Sequence, residues 1–165
     1  MISKLEHKID RFLYPCAEEI PLDGNGLLMI DEELRKYTQL INLDEFAQLP
    51  GAILISEGGM GKTTLMDQLK QRFPDGSALM LRLGLYAGDS NGLRNDINDF
   101  INALPPNSNG VIIFDGLDEA YDLCGAVIRI IQSIPESISV WIASRDDIAI
   151  RGIQTEFQKL ISYSL

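Results

Sequence analysis

The sequence predicts an α/β fold in which a parallel sheet is covered by helices on both faces. Two observations carry this. From about residue 51 to the end, short apolar runs alternate with amphipathic stretches of helical length, the pattern that right-handed crossovers between parallel strands produce. The run at 51–56 is apolar almost throughout, where a half-exposed strand would alternate, which suits a strand buried on both sides.

The elements follow in order. Ile2, Leu5, Ile9, Phe12 and Leu13 have helical spacing, and so do Leu34, Tyr37, Leu40 and Ile41. Residues 1–50 are therefore expected to be a helical N-terminal extension packed on the core formed by 51–165. The strand at 51–56 leads into a helix over 62–73, with Leu65, Met66, Leu69 and Phe73 on one face, stopped by Pro74-Asp75-Gly76. A second strand is expected over 78–85. Asp89 and Ser90 can cap a helix carrying Leu93, Ile97, Phe100, Ile101 and Leu104, which Pro105-Pro106 ends. Residues 111–114 form a strand ending in Asp115. Tyr121, Leu123, Val127, Ile130, Ile131 and Ile134 suggest a further helix closed by Pro135. Strands over 138–143 and 160–165 complete the series.

Composition narrows the function. The chain has 165 residues, 45% apolar and 23% charged, with 14 Lys and Arg against 24 Asp and Glu for a net charge of -10. One domain of ordinary globular character is expected. The negative field repels phosphate backbones and anionic lipid, so no nucleic-acid or membrane partner is expected. Cys16 and Cys124 stand far apart and His7 is the single histidine, which leaves no Cys/His zinc spacing. No apolar run approaches the roughly 18 residues that span a bilayer, and the charged start lacks a signal-peptide core. A cytoplasmic setting is the default.

Three motifs carry chemistry. The first is Ser56-Glu-Gly-Gly-Met-Gly-Lys-Thr63, between a buried strand and an amphipathic helix. Glycines let successive amides curl toward phosphate oxygens, and a helix N-terminus adds donors and partial positive charge. Glu57, Gly58, Gly59, Met60, Gly61, Lys62, Thr63 and Thr64 are the candidate nucleotide-binding residues. Lys62 would reach the β- and γ-phosphates, and Thr63 would sit on a magnesium ion. Ser56 stands where the usual pattern has its first glycine. A strand–turn–helix junction using glycine for geometry alone is the other reading.

The second motif, Val111 through Ala120, delivers Asp115 to the carboxyl edge of the sheet, where it could hold the magnesium through water. Asp118 and Glu119 follow, placed to polarise an attacking water. The same acids also suit a helix N-terminus. The third is Arg145 at the end of the strand over 138–143, able to sense a γ-phosphate, or else to neutralise Asp146 and Asp147.

Ser56 through Leu65, Phe114-Asp-Gly-Leu-Asp-Glu119 and Ala143-Ser-Arg145 together resemble the NACHT group of STAND NTPases, signal-transducing P-loop ATPases related to AAA+ proteins. Arg11 through Pro15 and Gly26-Leu-Leu look like the lead-in of bacterial members. The resemblance implies a three-layer P-loop NTPase core with a five-stranded parallel sheet in the order 5-1-4-3-2. It implies ATP and Mg2+ as cofactors, with Lys62 and Thr63 on phosphate and metal and Asp115 on the metal. Asp118 and Glu119 then serve hydrolysis, and Arg145 is the sensor. It further implies a nucleotide-controlled switch, in bacteria for phage defence, working through other protein domains or self-association. The chain stops at Leu165, short of the lid, winged helix and sensor array of that family, so weak ATP binding and slow turnover are expected. Two other readings stand beside it: a non-catalytic truncated nucleotide-binding or interaction module, and a small P-loop kinase.

Overall fold

The computed structural model describes residues 13–15, 41–106, 108–145 and 161–164. In chain order the elements are β1 (Tyr14–Pro15), α1 (Leu43–Phe46), β2 (Gly51–Ile55), α2 (Lys62–Lys70), β3 (Ala78–Arg82), α3 (Ser90–Ala103), β4 (Gly110–Asp115), α4 (Cys124–Ser133), β5 (Ile138–Ser144) and β6 (Ile161–Ser164). Short 3-10 segments at Leu83–Tyr86 and Leu117–Leu123 follow β3 and β4.

β2, β5, β4 and β3 lie side by side and parallel. Numbered along the chain, these four strands have the order 1-4-3-2. On the free side of β2, β6 pairs in parallel with Ile53 opposite Ser162, and β1 pairs with β6 antiparallel.

Side-chain alternation divides the core in two. Ile53, Ile112, Phe114, Val140 and Ile142 face a cluster with Leu93 and Ile97 of α3 and Val127, Ile130 and Ile131 of α4. Ala52, Leu54, Val111, Ile113, Trp141 and Ala143 face the opposite cluster with Leu65, Met66 and Leu69 of α2. A strand whose successive residues point to opposite faces must be apolar at every position when both faces are covered. The same parity puts Asp115, two residues after Ile113, on the α2 side.

Leu13 and Phe46, both fully buried, join the α2-side cluster. Asn42 caps α1 through the amides of Asp44 and Glu45, while the Glu45 carboxylate accepts from the Asn42 amide, a reciprocal capping box. Leu13 and Ile41, expected in helices, instead exchange two backbone hydrogen bonds of 2.9 Å across an antiparallel bridge. Apolar spacing of 3.6 was misleading there because one apolar residue at each position, Leu13 buried and Ile41 partly buried, satisfies either geometry. The other apolar residues on which the two N-terminal helices rested lie outside the described residues.

Other boundaries moved for identifiable reasons. The helix expected over 62–73 ends at Lys70, and Phe73 beyond it packs on Trp141 with ring centroids 5.6 Å apart and planes at 55°. The strand expected over 78–85 stops at Arg82, which pairs with Asp115, the last residue of β4. With no partner strand left, the chain coils into its 3-10 turn and Leu85 becomes 83% exposed. The helix expected around Tyr121 begins as the 3-10 segment Leu117–Leu123, broken at Ala120. No helix among the described residues is long and apolar enough to cross a membrane.

Candidate functional site

The loop between β2 and α2 leaves the carboxyl edge of the sheet. Gly59 and Gly61 adopt φ of 82° and 81°, the left-handed region that costs other residues roughly 1–2 kcal/mol. A Cβ built on Gly59 meets nothing within 4 Å, so the space beside this residue is open. Gly61 is the N-cap of α2, and a glycine cap brings no side-chain oxygen to the first-turn amides. Those amides therefore remain suited to an anion.

Lys62 is 9% exposed. Its ammonium donates to the Ser56 carbonyl, to the Glu57 carbonyl at 2.8 Å and to the Ser56 hydroxyl at 3.2 Å. The lysine thus sits inside the curl of its own loop. Burial lowers its pKa from the ordinary lysine value, with Asp118 the leading charge in the opposite sense. Ser56, the departure from the usual first glycine, supplies two of the three acceptors. Glu57, Gly58 and Met60 are exposed along the loop, as are Thr63 and Thr64 in the first turn of α2.

The Thr63 hydroxyl donates to Asp115 Oδ2 at 2.9 Å. Asp115 is 7% exposed, and burial raises its carboxyl pKa while the Thr63 hydrogen bond opposes the rise. Asp118 and Glu119 lie across the strand tips, and both engage Arg145. Asp118 Oδ1 accepts from the Arg145 amide at 2.8 Å and the Ser144 hydroxyl at 3.4 Å. Asp118 Oδ2 lies 3.5 Å from Arg145 Nε, and Arg145 Nη2 donates to Glu119 at 2.9 Å. A Cβ on Gly58 would stand 3.8 Å from Arg145 Nη1, so the guanidinium rests against the loop.

The three motifs are therefore brought together at one edge: Lys62 and Thr63 from the loop, Asp115 from β4, Arg145 from β5. Thr64 takes part in none of these contacts. Asp146 and Asp147, the alternative partners of Arg145, lie outside the described residues. Two further participants, Ser144 and Arg82, were missed in the sequence. Ser144 is announced only by its place before Arg145. Arg82 lies beside Asp115 in the β3–β4 register, 3.6 Å from Asp67 of α2, and its charge draws the Asp115 pKa downward.

Among the described residues, no three His, Cys, Asp or Glu side chains are grouped as a metal site. One hydroxyl and one carboxylate do fit a magnesium ion, which keeps much of its water and takes few protein oxygens.

No protein-family model matches the chain, and no curated protein matches it. Similar solved structures include a DNA polymerase III gamma subunit-related protein of Thermotoga maritima, with a TM-score of 0.48 and 14% identity over 74% of this chain and 45% of that one. C. elegans PCH-2 is similar with a TM-score of 0.42 and 18% identity over 68% of this chain and 34% of that one. The chain spans less than half the length of either. The geometry itself defines an α/β fold with a P-loop-like strand–loop–helix junction at the edge of a parallel sheet.

Proposed function

We propose that the chain is a nucleotide-binding P-loop module, the ATP-binding NTPase core of a STAND-type, NACHT-like signalling switch with slow magnesium-dependent hydrolysis. The observation that supports it best is the hydrogen bond between Thr63 and Asp115. It joins the first helical turn after the glycine loop to the end of an apolar strand, the two positions from which a P-loop protein holds a magnesium-bound phosphate.

In this reading the loop amides and the first turn of α2 orient the phosphates. Lys62 leaves its carbonyl partners to bind the terminal oxygens, and Arg145 approaches from the far side of Gly58. Thr63 and Asp115 would hold the magnesium ion, which supplies charge neutralisation on the phosphates. Asp118 and Glu119 are the acids near an attacking water. β6 serves as the fifth core strand, giving the order 5-1-4-3-2, and residues 1–50 form an extension anchored through Leu13 and Phe46. A role in bacterial defence, a cytoplasmic location and assembly with other domains or copies follow from the resemblance of the motifs.

The test is Lys62→Ala, with Mg-ATP affinity measured by calorimetry. Loss of binding with a cooperative thermal melt retained is expected. Binding equal to the wild type would sink the reading. A second reading, a nucleotide-binding module without turnover, is favoured by one observation: Arg145 engages both acids that hydrolysis would need. Phosphate release that is the same in wild type and Glu119→Gln would select it.

A further inference from the structure

We infer that Asp118 is a positioning residue for Arg145, and that Glu119 is the partner Arg145 exchanges for a nucleotide's terminal phosphate. This rests on the nucleotide-site reading above and divides two acids which that reading treats alike.

The division is geometric. Asp118 Oδ1 bonds to parts that do not move independently, the Arg145 main-chain amide at 2.8 Å and the Ser144 hydroxyl at 3.4 Å, while its Oδ2 stands 3.5 Å from Nε, the near end of the guanidinium. The Asp118 side chain is 16% exposed. The carboxylate thereby ties the 3-10 segment after β4 to the tip of β5 and sets where the Arg145 side chain begins. A hydrogen bond of this kind to a charged, largely buried acceptor is among the stronger ones.

Glu119 holds only the far end of the arginine, Nη2 at 2.9 Å, and its side chain is 51% exposed. It reaches there because Gly84 and Gly116 have no side chains. A Cβ at Gly84 would stand 3.1 Å from Glu119 Oε2, and one at Gly116 3.2 Å from its carboxyl carbon. Meanwhile the guanidinium leans on Gly58, at the mouth of the loop. A phosphate entering the loop therefore meets an arginine whose base is fixed and whose tip is held by a half-exposed ion pair, a weak kind of contact. A multiply charged phosphate outcompetes such a partner. The exchange leaves Arg145 on the phosphate and releases the Glu119 carboxylate, so triphosphate and diphosphate are told apart by Arg145 against the resistance of Glu119.

The experiment compares calorimetric affinities for AMP-PNP and ADP, both with magnesium, so that hydrolysis plays no part. Glu119→Gln should tighten AMP-PNP about two- to five-fold, the range an exposed ion pair allows, and leave ADP unchanged. That gain should vanish in an Arg145→Ala background. Asp118→Ala should weaken AMP-PNP about tenfold or more with little effect on ADP, and Asp118→Asn, which keeps the acceptor oxygen, should recover most of it. Ser144→Ala loosens the same anchor without altering charge and should shift AMP-PNP in the same direction, which keeps the test open if Asp118→Ala does not fold. Equal effects of Glu119→Gln on both nucleotides, its persistence without Arg145, or an Asp118→Asn no better than alanine would each overturn the inference. Wild-type affinity for both nucleotides in Lys62→Ala would instead overturn the nucleotide-site reading, and this inference with it.

Discussion

Thr63 and Asp115, 52 positions apart, meet at 2.9 Å across the edge of the sheet. The contact closes the gap between α2 and β4 and holds a buried carboxylate whose desolvation this hydroxyl and the charge of Arg82 oppose. Removing the hydroxyl should therefore cost more than an ordinary surface hydrogen bond. Thr63→Ala is expected to lower stability by about 1–3 kcal/mol at neutral pH, read from urea unfolding.

Asp115→Asn should act in the opposite direction. Because the folded-state pKa of Asp115 lies above the unfolded value, its favourable contribution is present below the ordinary carboxylate range and lost as pH rises through the raised pKa. At neutral pH the ionised group is a net burden. The asparagine variant should melt higher than wild type at pH 7, with the difference shrinking toward pH 4. Magnesium-dependent nucleotide affinity should fall in the same protein. A lower melting temperature at pH 7 would contradict this account.

Gly59 has φ of 82° with nothing near its absent side chain. Alanine there meets no clash, so its cost is backbone strain alone, about 1–2 kcal/mol. Gly59→Ala should thus fold cooperatively, with a modest loss in urea midpoint against the wild type.

Trp141 is the single tryptophan, 1% exposed, and its ring packs on Phe73 just past the end of α2. Its indole N–H has no hydrogen-bond partner among the described residues. Trp141→Phe consequently gives up no hydrogen bond to a described residue and should cost less than Trp141→Ala, for which about 3–5 kcal/mol is typical of a buried aromatic. Fluorescence of the wild type should be blue-shifted when folded and move red in one step with urea, giving the reference curve for both variants.

Tyr86 donates its hydroxyl to Asp96, and burial together with that carboxylate pushes its pKa up to about 12. Stability from this pair is complete below the ordinary tyrosine value and disappears as pH rises from about 10 toward 12. In absorbance titrations at the tyrosinate band, the difference between wild type and Tyr86→Phe should show one phenol titrating near the upper value. Asp96→Asn should bring that titration down.

Much of the parallel core was legible because burial on both faces leaves a sequence little freedom. Val111 through Phe114 cannot form a half-exposed strand, and the Asp89 cap of α3, through the Gly92 amide at 2.8 Å, was equally plain. The chain end of β3 was not. Whether Leu83 continues a strand depends on whether β4 extends far enough to pair with it, and β4 ends at Asp115. Leu13 and Ile41 failed for the same reason: their pairing is with each other, 28 residues apart, and no local pattern encodes it.

The sequence by itself determined the glycine loop, the apolar strands and the acidic and basic residues at their ends, since these depend on local backbone freedom and side-chain parity. Only the tertiary structure decided which charges meet. It set Lys62 against the carbonyls of its own loop, Thr63 against Asp115, and Arg145 between Asp118 and Glu119. Coulombic and hydrogen-bonding energies vary over ångströms, and distances of that kind are set by how the loop curls and by which strands remote in the chain are laid side by side.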